Sequence, residues 1–188
     1  PESNDDFSTT MADGGAVHVV IPGLSLGGPA DCERDGTPTN DASGDGADED
    51  GIVFDSPLIP GNEACIKVSA INTTGNAAVL QGWIDWNNNG TLEAGEELDF
   101  TNDGAITGSI TDQDFCFEVP ADAIFNDGMV LSRFRLRPGM ADDTGDLGPN
   151  GPDKYDETTI VPQGEVEDHK INVGKLGNFV FEDYNFNG

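Results

Sequence analysis

The residues whose types and spacing prescribe a chemistry sit in the middle of the chain. From Asp85 the sequence reads Asp85-Trp86-Asn87-Asn88-Asn89-Gly90-Thr91-Leu92-Glu93-Ala94-Gly95-Glu96. Every specified position of the loop pattern D-x-[DN]-x-[DN]-G-x5-E is met. Such a loop gathers oxygen atoms around one point: the side chains of Asp85, Asn87 and Asn89, the carbonyl of Thr91, Glu93 directly or through water, and Glu96. This donor set suits Ca2+, a hard cation that takes six to eight oxygens. Gly90 falls where the loop must turn sharply, which a residue without a Cβ does at little cost. The plainer reading of the same residues is an acidic, Asn- and Gly-rich hairpin that holds no ion.

The element that must position this loop is a strand. Leu80, Gly82, Ile84 and Trp86 alternate on one side of the run that leads into the loop, with no helical periodicity. The loop is therefore EF-like but carried on a β-scaffold, and a regulatory helix–loop–helix hand is not expected. Two further acidic stretches flank it. Residues 31–51 carry Asp41, Asp45, Asp48, Glu49 and Asp50, and residues 139–163 carry Asp142, Asp143, Asp146, Asp153 and Asp156. Solvated loop is one reading of the first stretch. The other is a second calcium site using Asp45, Asp48 and Asp50, although no fixed ligand spacing prescribes it.

Charge narrows the partners. The 188 residues hold 36 Asp and Glu against 8 Lys and Arg, a formal net charge of −28. Such a surface repels nucleic acid and anionic membranes, and it repels itself, so divalent cations would relieve it. So acidic a chain could be disordered, but its 10 Phe and several alternating apolar runs favour a folded domain. The length suits one well-packed domain with the edge of another. There is no initiator Met, signal-type apolar run or membrane-spanning stretch, so the chain reads as a processed product or fragment.

Strand patterns recur along the chain. Runs at 16–21, 52–54, 64–71, 77–86, 97–100, 105–110, 130–137 and 164–173 are short and bounded by turns, and Phe115, Phe117 and Val119 alternate ahead of Pro120. Thr101-Asn102-Asp103-Gly104 is a hairpin-type turn. Many short strands without a convincing helix predict an all-β fold: an antiparallel β-sandwich, Ig-like or jelly-roll-type, with long acidic loops. Three cysteines suit an oxidising exterior, with one left over. Cys65 and Cys116 both point away from the apolar faces of strands that would be neighbours in one sheet. A Cys65–Cys116 disulfide is expected, with Cys32 free or joined to another chain.

At residues 164–168 the chain reads GEVED, which resembles the signature of the GEVED domain, a β-sandwich module of large bacterial secreted and surface proteins. Further stretches are similar to that family: GAVHVVIPGLSLG (15–27), DGADEDGIVF (45–54), NTTGNAAVLQGWIDWNNNGTLEAGEEL (72–98), VPADA (119–123) and SRFRL (132–136). The resemblance covers about residues 6–174 and implies a non-catalytic extracellular module, often beside other β-repeats in adhesins. A second resemblance begins at Leu176. LGNFVFEDYNFNG is similar to the opening of an Sdr-type B repeat, a calcium-dependent, transthyretin-like module, and Asp183, Asn185 and Asn187 repeat the start of the Asp85 loop. The expected division is a sandwich over 1–174, then a linker and the first strand of a truncated repeat over 175–188. Leu176, Phe179 and Phe181 should then contact a neighbouring module.

Other chemistry fits less well. A glycosidase would need an Asp/Glu pair in a cleft with a sugar-binding aromatic floor, whereas these carboxylates cluster in Gly-rich loops and aromatics are 7% of residues. Motifs for serine hydrolases, zinc proteases and phosphate loops are absent. The expectation is no catalysis, with calcium-stabilised structural or adhesive work at the bacterial cell surface. The partners would be neighbouring β-repeat modules and surface glycans or proteins. One alternative is a calcium-dependent carbohydrate-binding module with an exposed Trp83 as its platform, although the favoured reading of Trp83 is packing against the amino-terminal segment. Another is a subunit of an extracellular filament or layer. Arg133, Arg135 and Arg137 share one strand face. They could form either cross-strand ion pairs with Glu165 and Glu167 or a basic docking patch. Ile171 and Val173 share parity with those glutamates, which calls for either a bulge near Asp168 or a buried Glu held by Arg or calcium.

Overall fold

Alternation in the sequence becomes alternation in burial. Along Glu63–Asn72 the residues Ala64, Ile66, Val68 and Ala70 are buried, while Cys65, Lys67, Ser69 and Ile71 between them are half-exposed. This strand is the spine of the first of two antiparallel sheets. The computed structural model describes residues 19–29, 51–125, 129–139 and 164–173. Its strands in chain order are β1 (Leu24–Leu26), β2 (Ile52–Phe54), β3 (Glu63–Asn72), β4 (Ala78–Ile84), β5 (Ala105–Ile106), β6 (Ile110–Glu118), β7 (Met129–Pro138) and β8 (Glu165–Asn172), with a 3-10 turn at Ala94–Glu96. No α-helix occurs among the described residues.

In the first sheet β6 lies along one side of β3, while β1 and β2 share the other. The second sheet runs β5-β4-β7-β8. Their apolar faces meet in one core, where Ile66, Val68, Phe115 and Phe117 oppose Leu80, Ile84, Phe134 and Leu136. Phe100, from the segment between β4 and β5, packs on the first sheet, its ring 5.6 Å from Phe115 and 6.0 Å from Phe117. The fold is the expected all-β antiparallel sandwich.

Cys65 stands opposite Cys116 in the β3–β6 ladder, and the two are joined by a disulfide with a Cα–Cα distance of 4.1 Å. The Cys116 carbonyl accepts from Thr101 N–H, so it faces away from β3. The cysteines thus occupy a position where opposed residues share no backbone bonds and approach most closely, about 4.5 Å. Further along, the β3–β6 register shifts between Val68 and Ala70, and Asp112 takes a φ of 49°. This irregularity, with exposed Asp112 and Asp114 beside it, makes the edge a poor template for another strand.

Three features depart from the sequence expectation. β1 arises at Leu24–Leu26, beyond the run at 16–21; residues 16–18 of that run lie outside those described, and Val19 and Ile21 each sit in an isolated bridge. The run at 97–100 is not a strand: Glu97 makes one bridge to Trp83, and Leu98 N–H donates to Gly82. The Asn102-Asp103 turn forms, yet its flanks do not pair together, because β5 pairs with β4 instead.

Candidate metal centre

β4 delivers the loop. Its inward residues Leu80 and Ile84 are buried, and Trp86 continues into the core against Phe117 and Phe125, with ring centroids 6.3 Å away in each case. Ile124 N–H donates to the Trp86 carbonyl at 2.7 Å. The loop's entry is therefore tied to the segment after β6. Leu92, the apolar residue amid polar neighbours, is also buried. Sequence reasoning passed over Leu92 and Ile124 as anchors; an apolar residue in so polar a loop was the available signal.

The carboxylates are oriented by backbone amides. Asp85 is fully buried; its Oδ1 accepts from Asn89 N–H at 3.0 Å and its Oδ2 from Gly90 N–H at 2.8 Å. Positive φ values at Asn88 (53°) and Gly90 (85°) wrap the backbone around it. Glu93 caps the Ala94–Glu96 turn reciprocally with Glu96. The buried Glu96 carboxylate accepts from Glu93 N–H at 3.0 Å and Asn87 N–H at 3.4 Å. Asn87 Nδ2 donates to Glu93 at 3.2 Å, and Asn89 Oδ1 accepts from both Thr91 N–H and Thr91 Oγ1. Two of these bonds join expected ligand side chains directly, Asn87 to Glu93 and Thr91 to Asn89, while Asp85 and Glu96 are held by backbone amides of the same loop.

The electrostatics of this arrangement are unbalanced. Burial pushes the Glu96 carboxyl up from its ordinary value; the charges of Asp85 and Glu93 push the same way, against the N–H groups of Glu93 and Asn87. The ion pairs of Lys67, Arg133 and His169 lie elsewhere. Each ionised carboxylate oxygen has more than one lone pair, so the amide bonds leave acceptor capacity for a cation. The donor set fits Ca2+, with Asp85, Glu96 and Glu93 supplying charge, although Asn89 would have to loosen its bonds to Thr91. Asp45, Asp48, Asp50, Asp183, Asn185, Asn187 and Cys32 lie outside the described residues, as does the segment 175–188. Glu63, Cys65 and Cys116 place three potential ligand atoms within 4.8 Å of one another, but both sulfurs are in the disulfide and cannot act as thiolates.

The arginine row and the 164–168 strand resolve together. β7 and β8 pair without a break in register from Met129↔Asn172 to Leu136↔Glu165, so there is no bulge at Asp168. Arg133 faces Asp168 and binds it with two bonds, 2.6 and 2.7 Å. The expected pairing with Glu165 and Glu167 is therefore corrected: these glutamates stand opposite Leu136 and Phe134, on the inward face. Glu165 accepts from Leu26 N–H, and the buried Glu167 accepts from Gly51 N–H at 3.1 Å and lies 3.2 Å from His169 Nε2. A buried glutamate is present, held by a backbone amide where Arg or calcium was expected.

Arg133 and Arg135 are buried, which removes the docking-patch reading. Arg135 lies over the Trp83 ring, 5.7 Å from its centroid, a cation–π arrangement. Burial, then the charges of Arg133 and Arg137, lower its pKa to about 10, still well above neutrality. Arg137 donates to Gln81, which donates to Glu97. Trp83 is fully buried and cannot serve as an exposed sugar platform.

A comparison with family models matches residues 79–172 to the GEVED domain. The chain belongs to the GEVED domain family. The match runs from β4 through the Asp85 loop to β8. No curated protein and no solved structure matches the chain. In this GEVED domain the signature strand serves packing and hydrogen bonding: Gly164 has a φ of 137°, and a Cβ there would overlap the Leu136 carbonyl. Glu165 and Glu167 reach into the other sheet, and Asp168 holds Arg133.

Proposed function

We propose that this GEVED domain is a non-catalytic, calcium-stabilised extracellular module of a multidomain bacterial surface or secreted protein, with a structural or adhesive role. The observation that carries the reading is the buried pair Asp85 and Glu96, oriented by backbone amides within a calcium-loop spacing and lacking a Lys or Arg partner among the described residues. Uncompensated buried charge is costly, and a bound cation offsets it. The Cys65–Cys116 disulfide supports an oxidising compartment. The net charge of −28 supports divalent-cation binding over nucleic-acid or membrane partners. The carbohydrate-binding alternative loses its Trp83 platform. The division into a sandwich and a following Sdr-type repeat remains part of the proposal.

The experiment is calcium titration by calorimetry together with thermal melting in chelator and in calcium. Extracellular sites bind near 10⁻⁴–10⁻³ M, so millimolar calcium should stabilise the fold by on the order of 1 kcal/mol. The paired substitutions Asp85→Ala and Glu96→Ala should remove that component. Absence of both binding heat and a melting shift at calcium well above the millimolar range would refute the calcium role.

A further inference from the structure

Asn89-Gly90 sets a side-chain amide next to a backbone nitrogen that has no Cβ beside it. Attack of that nitrogen on the amide carbon closes a five-membered ring, and in a flexible chain nothing assists the step. In the loop, three features assist it. Gly90 N–H donates to Asp85 Oδ2 at 2.8 Å, so a carboxylate already holds the proton that the nitrogen must lose. Asn89 Oδ1, where negative charge gathers as its carbon turns tetrahedral, accepts from Thr91 N–H at 2.8 Å and from Thr91 Oγ1 at 2.6 Å. Asn89 is also exposed, so ammonia has a way out and water a way in.

We propose that this loop converts its own Asn89 to aspartate and isoaspartate, with Asp85 as general base and Thr91 as oxyanion donor. The Gly90 nitrogen bonds to Asn89 Cγ while its proton passes to Asp85. The Cγ–Nδ2 bond then breaks, the proton moves from Asp85 to the departing nitrogen, and ammonia leaves behind a succinimide. Water opens that ring at either carbonyl, its hydroxyl going to carbon and its proton to the Gly90 nitrogen. Opening at Cγ leaves aspartate, which still satisfies the loop pattern and adds one negative charge. Opening at the main-chain carbon leaves isoaspartate, whose backbone runs through Cβ and Cγ and is one atom longer. That extra atom displaces Gly90 N–H from Asp85, undoing one of the two amide bonds that orient the buried carboxylate. The reaction needs no ion and does not depend on the calcium reading.

The test incubates the full chain in chelator, folded in buffer and unfolded in urea at the same pH. Peptide mapping by mass spectrometry follows the amide-to-acid mass gain and the isoaspartate linkage at position 89. The unfolded chain carries the same dipeptide without the positioned base and donors. Conversion should be roughly 10- to 100-fold faster in the folded chain, at or below the low end of what a positioned base supplies. Thr91→Val keeps the backbone donor and removes the hydroxyl. It should slow the folded chain by about 10-fold, less than loss of a buried oxyanion donor because Thr91 is exposed, and leave the unfolded chain unchanged. Thr91→Ser should restore the rate. Asp85→Asn keeps the shape and removes the base, and should bring the folded rate down to the unfolded one; should that variant fail to fold, the Thr91 pair carries the test. A folded rate no greater than the unfolded rate, or a Thr91→Val rate equal to that of the unaltered folded chain, would overturn the proposal.

Discussion

Replacing both Cys65 and Cys116 with alanine should lower stability by about 4 kcal/mol. The bond joins residues 51 apart. In the chain-entropy account, closing a loop of that length removes about 14 cal/mol/K from the denatured ensemble, which is about 4 kcal/mol at 25 °C. The cysteines are half-buried on the outward face of β3 and β6, so little packing is lost with them. The double variant avoids leaving a thiol that could pair with Cys32. Equilibrium urea unfolding should show a lower midpoint and a steeper slope, because an uncrosslinked denatured chain exposes more surface. The melting temperature should fall by roughly 8–16 °C for a chain of this size. Near-ultraviolet circular dichroism should remain native, since the ladder around the cysteines supplies the register. An unchanged midpoint would refute the entropic argument, and peptide mapping that linked Cys32 to either cysteine would refute the pairing.

Arg133→Ala should cost about 3–5 kcal/mol, because it strands a carboxylate in a largely buried bidentate pair. A double-mutant cycle with Asp168→Ala should recover much of that loss. Asp114→Asn, at the exposed pair with Lys67, should leave melting nearly unchanged. Gly164→Ala should destabilise far more than Gly75→Ala: both have positive φ, but only at Gly164 would the new methyl meet backbone, and at Gly75 about 1 kcal/mol is expected. Comparative calorimetry of the two variants checks the difference. Fluorescence of Trp86, which opens into the Asp85 loop, should respond to calcium and lose the response in the paired Asp85→Ala and Glu96→Ala protein.

Local pattern carried much of this fold. The period-2 burial of β3 was readable from Ala64 to Ile71, and the same parity placed Cys65 and Cys116 outward and opposed. The Asp85 loop was legible because its geometry is local, with its carboxylates and the amides that hold them lying within a dozen residues. β1 was not: three residues between Pro22-Gly23 and Gly27-Gly28 offer no periodicity, and only pairing with β3 defines them. The inward glutamates left a trace, since Ile171 and Val173 share their parity. Their partners could not be read, because Leu26 and Gly51 lie more than a hundred residues away in sequence. Trp83 could be read either as packed or as an exposed platform for a related reason: strand parity tells which face a side chain takes, not whether that face is open.

The crosslink also decides how this chain would respond to pulling. Tension applied at its two ends would run into Cys65 and out through Cys116, bypassing everything between. At about 3.4 Å per extended residue, a separation of 51 residues stores roughly 170 Å of length that force alone cannot release. β4 and the Asp85 loop lie inside that sheltered segment, while β7 and β8 lie outside it. Under load the second sheet could be unzipped between β4 and β7, yet β4 and its loop could not be drawn out straight. Single-molecule extension should therefore show a contour shorter by that length, restored when the disulfide is reduced.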